Sequence, residues 1–268
     1  MTTPRDPARL HAQLVAWLRA LHRESAVQGF VFGLSGGIDS AVVCGLAAEA
    51  IGPERCKALV LPIESPPDDA ALALAVADRF GVRALTIDLS APFRALLEAL
   101  AADRERAARP GEVSHAPPAG VPGRPATADS LALANVKPRL RMTALYYHAN
   151  LLGCLVLGTG NRDELTVGYY TKFGDGAADA LPLGDLVKAE VRALARELGV
   201  PDAVIERPPS AGLWPGQTDE AEMGFSYEQL DRFLLEGTSG VPPVDAAIRR
   251  RVETAAHKAG PPPAPHPE

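Results

Sequence analysis

Cysteine, long apolar runs and excess positive charge are all scarce in this sequence. Cysteine occurs only at Cys44, Cys56 and Cys154, with no CxxC pair and each in an apolar segment. That excludes a disulfide framework and fits a reducing compartment. No stretch approaches the ~18 consecutive apolar residues of a membrane span. The start, MTTPRDPARL, lacks the apolar run of a signal peptide. The expected location is the cytoplasm, with no membrane partner. Lys and Arg number 27 against 33 Asp and Glu, a net charge of −6. The longest basic block is Arg249-Arg250-Arg251, so nucleic acid is not an expected partner. His22, His115 and His148 show no metal-ligand spacing.

What is present is an alternation of strand and helix. With 47% hydrophobic residues, a 268-residue chain can bury a sizeable core. Asp6-Pro7 predicts a capped helix start, followed by Leu10, Leu14, Leu18 and Leu21 at helical spacing. GFVFGL (29–34) reads as a buried strand, with KALVLP (57–62), RALTID (83–88) and GCLVLGTGN (153–161), a strand and its exit, as the second to fourth strands. Helices are predicted over 38–51, 67–80, 90–107, from a cap at Asn135 to Leu152, and over 186–198. The pattern predicts an α/β fold: a doubly wound parallel sheet with helices on both faces. Residues 108–128, rich in proline and glycine, predict a long loop, either a lid that closes over a site or a surface insertion without a role. Residues 1–258 read as one domain and 259–268 as a disordered tail.

The densest chemistry lies in SGGIDS (35–40), between the first strand and the next helix. Glycine permits a sharp turn that presents backbone N–H groups, and a helix start favours an anion. Ser35 and Ser40 add hydroxyls. The lysine of a GxxxxGK[ST] loop is absent, as is a GxGxxG fingerprint. Positive charge must come from elsewhere in the chain or from a cation held by Asp39, for which Mg²⁺ fits. A plain tight turn with a capping aspartate remains open for these residues alone.

SGGxDS after a first strand resembles the ATP-pyrophosphatase group (adenine nucleotide alpha-hydrolase-like), which includes several adenylating enzymes. NVKPRLRM (135–142), LGTGNRDELTVGYYTKFGDGAADALPLGDLVK (157–188) and RPPSAGLWPGQTDEAEMGFSYEQLD (207–231) resemble one branch, NAD synthetase. The resemblance covers about residues 8–258. It implies ATP-dependent amidation of deamido-NAD to NAD through an adenylate, releasing AMP and pyrophosphate. It also implies an ATP site at Gly33, Leu34, Ser35, Gly36, Gly37, Ile38, Asp39, Ser40, Thr159, Lys188 and Ser210. Arg139, Lys172, Asp179, His257 and Lys258 match deamido-NAD positions, and Asp39 and Glu164 match Mg²⁺ ligands. Asp39 and Lys188 are the implied catalytic pair, and a homodimer is the implied assembly. Pro138 stands where the family commonly has alanine. The rivals are another adenylating amidotransferase, which should lack Lys172 and Asp179, and a non-catalytic ATP or NAD sensor, which would not need both Asp39 and Glu164. Only 34 residues precede Ser35, too few for an amidase domain, so free ammonia is the expected nitrogen donor, with a separate glutaminase as the alternative source. Cys44 and Cys154 have no adjacent base, so no covalent nucleophile is expected.

Overall fold

The computed structural model describes residues 5–107, 128–210, 212, 217–260 and 264–265. Asp6 caps α1 (Pro7–Ser25), its carboxylate accepting the Arg9 N–H at 2.8 Å. Four strands follow in chain order: β1 (Phe30–Gly33), β2 (Cys56–Val60), β3 (Arg83–Thr86) and β4 (Leu155–Leu157). They form a parallel sheet in the order β3-β2-β1-β4. Between them run α2 (Ile38–Ile51), α3 (Pro67–Arg79), α4 (Ser90–Ala107), α5 (Ala128–Ala134) and α6 (Val136–Leu152). After β4 come α7 (Arg162–Val167), α8 (Lys188–Leu198), α9 (Asp202–Ile205), α10 (Asp219–Met223), α11 (Tyr227–Glu236) and α12 (Pro242–Ala255).

Successive strand side chains point to opposite faces, and the core divides accordingly. Phe30, Phe32, Ala58 and Val60 pack with residues of α1, α2, α3 and α8. Val31, Leu59 and Val156 face the other way, against Ala149 and Leu145 of α6. Both faces of β1, β2 and β4 are therefore covered, as the alternation predicts, whereas edge strand β3 is largely exposed. Burying each of Phe30 and Phe32 is worth about 1.5–3 kcal/mol. A smaller cluster joins Val167, Met223, Phe225, Tyr227, Leu230 and Ile248, tying α7 to the C-terminal helices. Among the described residues, no helix is long and apolar enough to cross a membrane.

Two expectations change. A helix, α5, opens at Ala128, and the rest of the predicted 108–128 loop lies outside the described residues. Asn135 does not cap α6. Its backbone is helical (φ −68°, ψ −11°), continuing from α5, and its side chain instead accepts the Thr171 hydroxyl at 2.8 Å. Of the expected disordered tail, residues 261–263 and 266–268 also lie outside the described residues.

Candidate active site

The chain winds from β1 outward to β2 and β3, then returns to place β4 on the other side of β1. The order reverses between β1 and β4, and a crevice at the carboxyl ends of the strands is the expected ligand position there. Leu34 to Gly37 leave β1 at this edge, and Thr159 to Asn161 leave β4.

Gly36 has φ +79°, and a Cβ there would meet the Asp69 carbonyl oxygen at 2.5 Å. Only glycine satisfies both constraints. The Ser35 hydroxyl accepts the Gly37 N–H at 3.2 Å, and the Ser40 hydroxyl donates to the Gly37 carbonyl at 2.9 Å. The turn is thus held by its own side chains. Gly37 precedes α2 without any side-chain cap, and the first N–H groups of a helix have no intrahelical partner, so this helix start suits an anion. Ser210 reaches the same corner: its hydroxyl accepts the Gly212 N–H, and Gly212 lies against Asp69. Arg207 pairs with Asp69 beside it.

The centre of the site is Lys188, the first residue of α8 and 1% exposed. Its ammonium donates to Asp39 Oδ2 at 2.5 Å and lies 3.8 Å from Glu164 Oε1. Asn161 locks the two carboxylates in place. Its Nδ2 donates to Asp39 Oδ1 at 2.9 Å, and its Oδ1 accepts the Glu164 N–H at 3.0 Å. Glu164 Oε2 in turn accepts the Asn161 N–H, closing a capping box on α7. Burial pushes the Glu164 carboxyl up to about 8, with the Asp39 charge adding to the rise and Lys188 opposing it. Burial pulls the Lys188 ammonium down, but Asp39 and Glu164 outweigh it and hold the pKa above the ordinary lysine value. Asp163 is pushed up to about 9, by burial first and by Asp231 second.

A second group of expected residues gathers on the loop after α7. Pro138, buried in the first turn of α6, packs 3.1 Å from where a Cβ on Gly174 would be. Arg139 beside it donates to the Lys172 carbonyl at 3.4 Å. The Lys172 ammonium donates to the His257 carbonyl at 2.5 Å. The Lys258 ammonium donates to the Gly168 and Tyr170 carbonyls, each at 2.7 Å. Arg139, Lys172, His257 and Lys258 are therefore brought together. Asp179 makes other contacts: its carboxylate accepts the Val156 N–H at 2.7 Å and the Tyr146 hydroxyl at 3.2 Å, pinning its loop to β4 and α6.

Sequence reasoning passed over Asn161, Asp163, Tyr227 and Asp231. The N-x-x-E spacing of Asn161 and Glu164 was a readable capping-box signal. The other three depend on tertiary packing. The cysteines behave as expected: burial pushes the thiols of Cys44 and Cys56 up to about 12, which leaves them inert.

An uncapped helix start and a buried lysine–carboxylate centre at the switch point of a parallel sheet are the arrangement of a nucleotide-binding α/β protein. The NAD synthase family model matches residues 10–259. An NH3-dependent NAD⁺ synthetase from Carboxydothermus hydrogenoformans is 44% identical over 92% of each chain. Among solved structures, an NMN synthetase from Francisella tularensis superposes with a TM-score of 0.83 at 34% identity, covering 97% of this chain and 99% of that one. An NH3-dependent NAD synthetase from Campylobacter jejuni superposes with a TM-score of 0.74 at 26% identity, covering 98% of this chain and 100% of that one. The chain belongs to the NAD synthase family.

Proposed function

We propose that this chain amidates the nicotinate carboxylate of deamido-NAD with ammonia in an ATP-dependent ligase reaction that yields NAD. The observation that carries the reading is the Lys188–Asp39–Glu164 cluster at the switch point of a NAD synthase family chain. In the first step a carboxylate oxygen forms a bond to the α-phosphorus of ATP, the bond to pyrophosphate breaks, and an NAD-adenylate results. Ammonia then forms a carbon–nitrogen bond at the activated carbonyl. The bond to AMP breaks and a proton is released.

The residues act by position and charge. The N–H groups at the start of α2 cradle the phosphates, and Ser35 and Ser40 hold the turn that presents them. Thr159 and Ser210 border them. Lys188 neutralises charge developing on the pyrophosphate. Arg139, Lys172, Asp179, His257 and Lys258 orient deamido-NAD. Asp39 and Glu164 fit Mg²⁺: two hard carboxyl groups converge on one cation, and burial first and the Asp39 charge second raise Glu164. The ion would neutralise phosphate charge when bound. Ammonia as donor is supported by the NH3-dependent relatives. A homodimer is the proposed assembly. It is supported by Tyr147 and Leu151 of α6, 63% and 66% exposed, and by Leu85 on edge strand β3. A monomeric mass in solution would remove it. The cytoplasm is the proposed compartment, in keeping with three free cysteines.

A second reading takes nicotinic acid mononucleotide as the acceptor, on the strength of the match to the Francisella NMN synthetase. One assay separates the two. Purified protein is given ATP, Mg²⁺ and ammonium with either deamido-NAD or the mononucleotide, and NAD, NMN, AMP and pyrophosphate are measured. NAD formation with equal AMP is the expected result. A higher kcat/KM on the mononucleotide would install the second reading, and no AMP from either would sink both.

A further inference from the structure

Lys188 is held from both ends by one helix that has been given no part in the chemistry. Its ammonium sits 4.8 Å over the ring centroid of Tyr227, which is completely buried. Its backbone N–H donates to Asp231 Oδ1 at 3.1 Å, and the next N–H, of Ala189, donates to Asp231 Oδ2 at 2.9 Å. Tyr227 and Asp231 are four residues apart on α11, so they lie on one face of that helix. The residue before α8 is Val187, which has no side chain able to cap. Asp231 supplies that cap from a neighbouring helix, and Asp163 Oδ2 adds a further acceptor to the Lys188 N–H at 2.8 Å. The Tyr227 ring is itself fixed, because its hydroxyl donates to Asp219 Oδ2 at 2.9 Å.

We infer that α11 is the positioning element of the site: Asp231 fixes the main chain of Lys188 and Tyr227 fixes its ammonium, so that the charge stands where phosphate charge develops. The inference rests on the role proposed for Lys188. The physical need is specific. A lysine side chain has several rotatable bonds and a compact, strongly hydrated charge. Asp39 accepts one hydrogen bond from it, and Glu164 lies 3.8 Å away. An aromatic face beneath it adds an attraction that does not compete with the phosphates for hydrogen bonds. Displacement of a charged group by about 1 Å can cost on the order of 100-fold in rate.

The test is a double-mutant cycle on kcat, with native folding followed by circular dichroism. Tyr227→Leu, Asp231→Ala and Lys188→Met are made singly, and each of the first two is combined with Lys188→Met. Tyr227→Leu and Asp231→Ala should each lower kcat about 10- to 100-fold, with KM for deamido-NAD within about twofold of the parent. In the Lys188→Met background neither should lower kcat further. Tyr227→Phe keeps the ring and Asp231→Asn keeps one acceptor, so each should lose clearly less than its partner variant. Should Tyr227→Leu fail to fold, the Asp231 pair carries the test. Losses that persist in full in the Lys188→Met background, or parental kcat in Tyr227→Leu and Asp231→Ala, would overturn the inference. Parental kcat in Lys188→Met alone would instead remove the role proposed for Lys188.

Discussion

The two halves of the site hold their cations in opposite ways. Around Lys188, charge meets charge: the ammonium is 1% exposed and two carboxylates face it. On the loop after α7, cations meet dipoles. Arg139, Lys172 and Lys258 donate to backbone carbonyls at Lys172, His257, Gly168 and Tyr170. A carbonyl satisfies a donor without cancelling its charge. The proposed role of the loop, holding an anionic substrate, draws on these uncancelled cations; burial pulls the Lys258 ammonium below the ordinary lysine range, with Asp175 opposing. The Lys188 centre is neutralised internally and becomes available only when Asp39 and Glu164 find another cation. On the proposed roles, phosphate chemistry falls to the buried centre and substrate capture to the more exposed one.

The largest effect should come from breaking the buried centre. Lys188→Ala, Asp39→Asn and Glu164→Gln should each lower kcat about 100- to 1000-fold or more, while KM for deamido-NAD changes little. Steady-state kinetics over a range of Mg²⁺ concentrations reads this. Near-parental turnover at low Mg²⁺ in Asp39→Asn or Glu164→Gln would remove that residue from the metal site. A smaller effect is expected on the loop. Lys172→Ala removes one charge-assisted contact, so Kd for deamido-NAD should rise roughly 10- to 100-fold, with ATP binding spared. Calorimetry with each ligand separately measures the split, and equal losses for both ligands would erase the contrast between the two regions.

The fold was readable because its signals are local. Asp6-Pro7, the glycine stops and the apolar runs placed α1, the four strands and α8 to within a few residues. The turn at Gly36 was readable for the same reason, since a positive φ leaves its mark as a glycine. Asn135 misled because a polar residue before a helix is a cap only where the chain arrives non-helically, and α5 delivers it already helical. Tyr227 and Asp231 were invisible as site residues. Nothing in GFSYEQLD states that its helix packs against the start of α8 some 40 residues earlier. A buried acid that caps another helix has the same local pattern as a solvated one.

The last expected effect is on stability rather than turnover, and it separates the regions by pH. In the free protein Asp163 is pushed up to about 9 and Glu164 to about 8, both chiefly by burial. Unfolded, these carboxyls return to about 4. Between those values the folded chain binds protons that the unfolded chain does not. Stability should therefore fall as pH rises through this window. Glu190 works the other way: although burial opposes it, hydrogen bonds from Arg5 hold its pKa below the ordinary value, so its contribution is complete above the unfolded pKa. The melting temperature of ligand-free protein should decline from pH 5.5 to 8.5, and Asp163→Asn should flatten the decline. Asparagine is a fair stand-in for the neutral carboxyl, since it keeps the acceptor used by the Lys188 N–H without carrying charge. A melting temperature that is constant or rises across the window would show that these carboxyls are ionised in the folded protein, and that the buried centre is not under the electrostatic tension described for it.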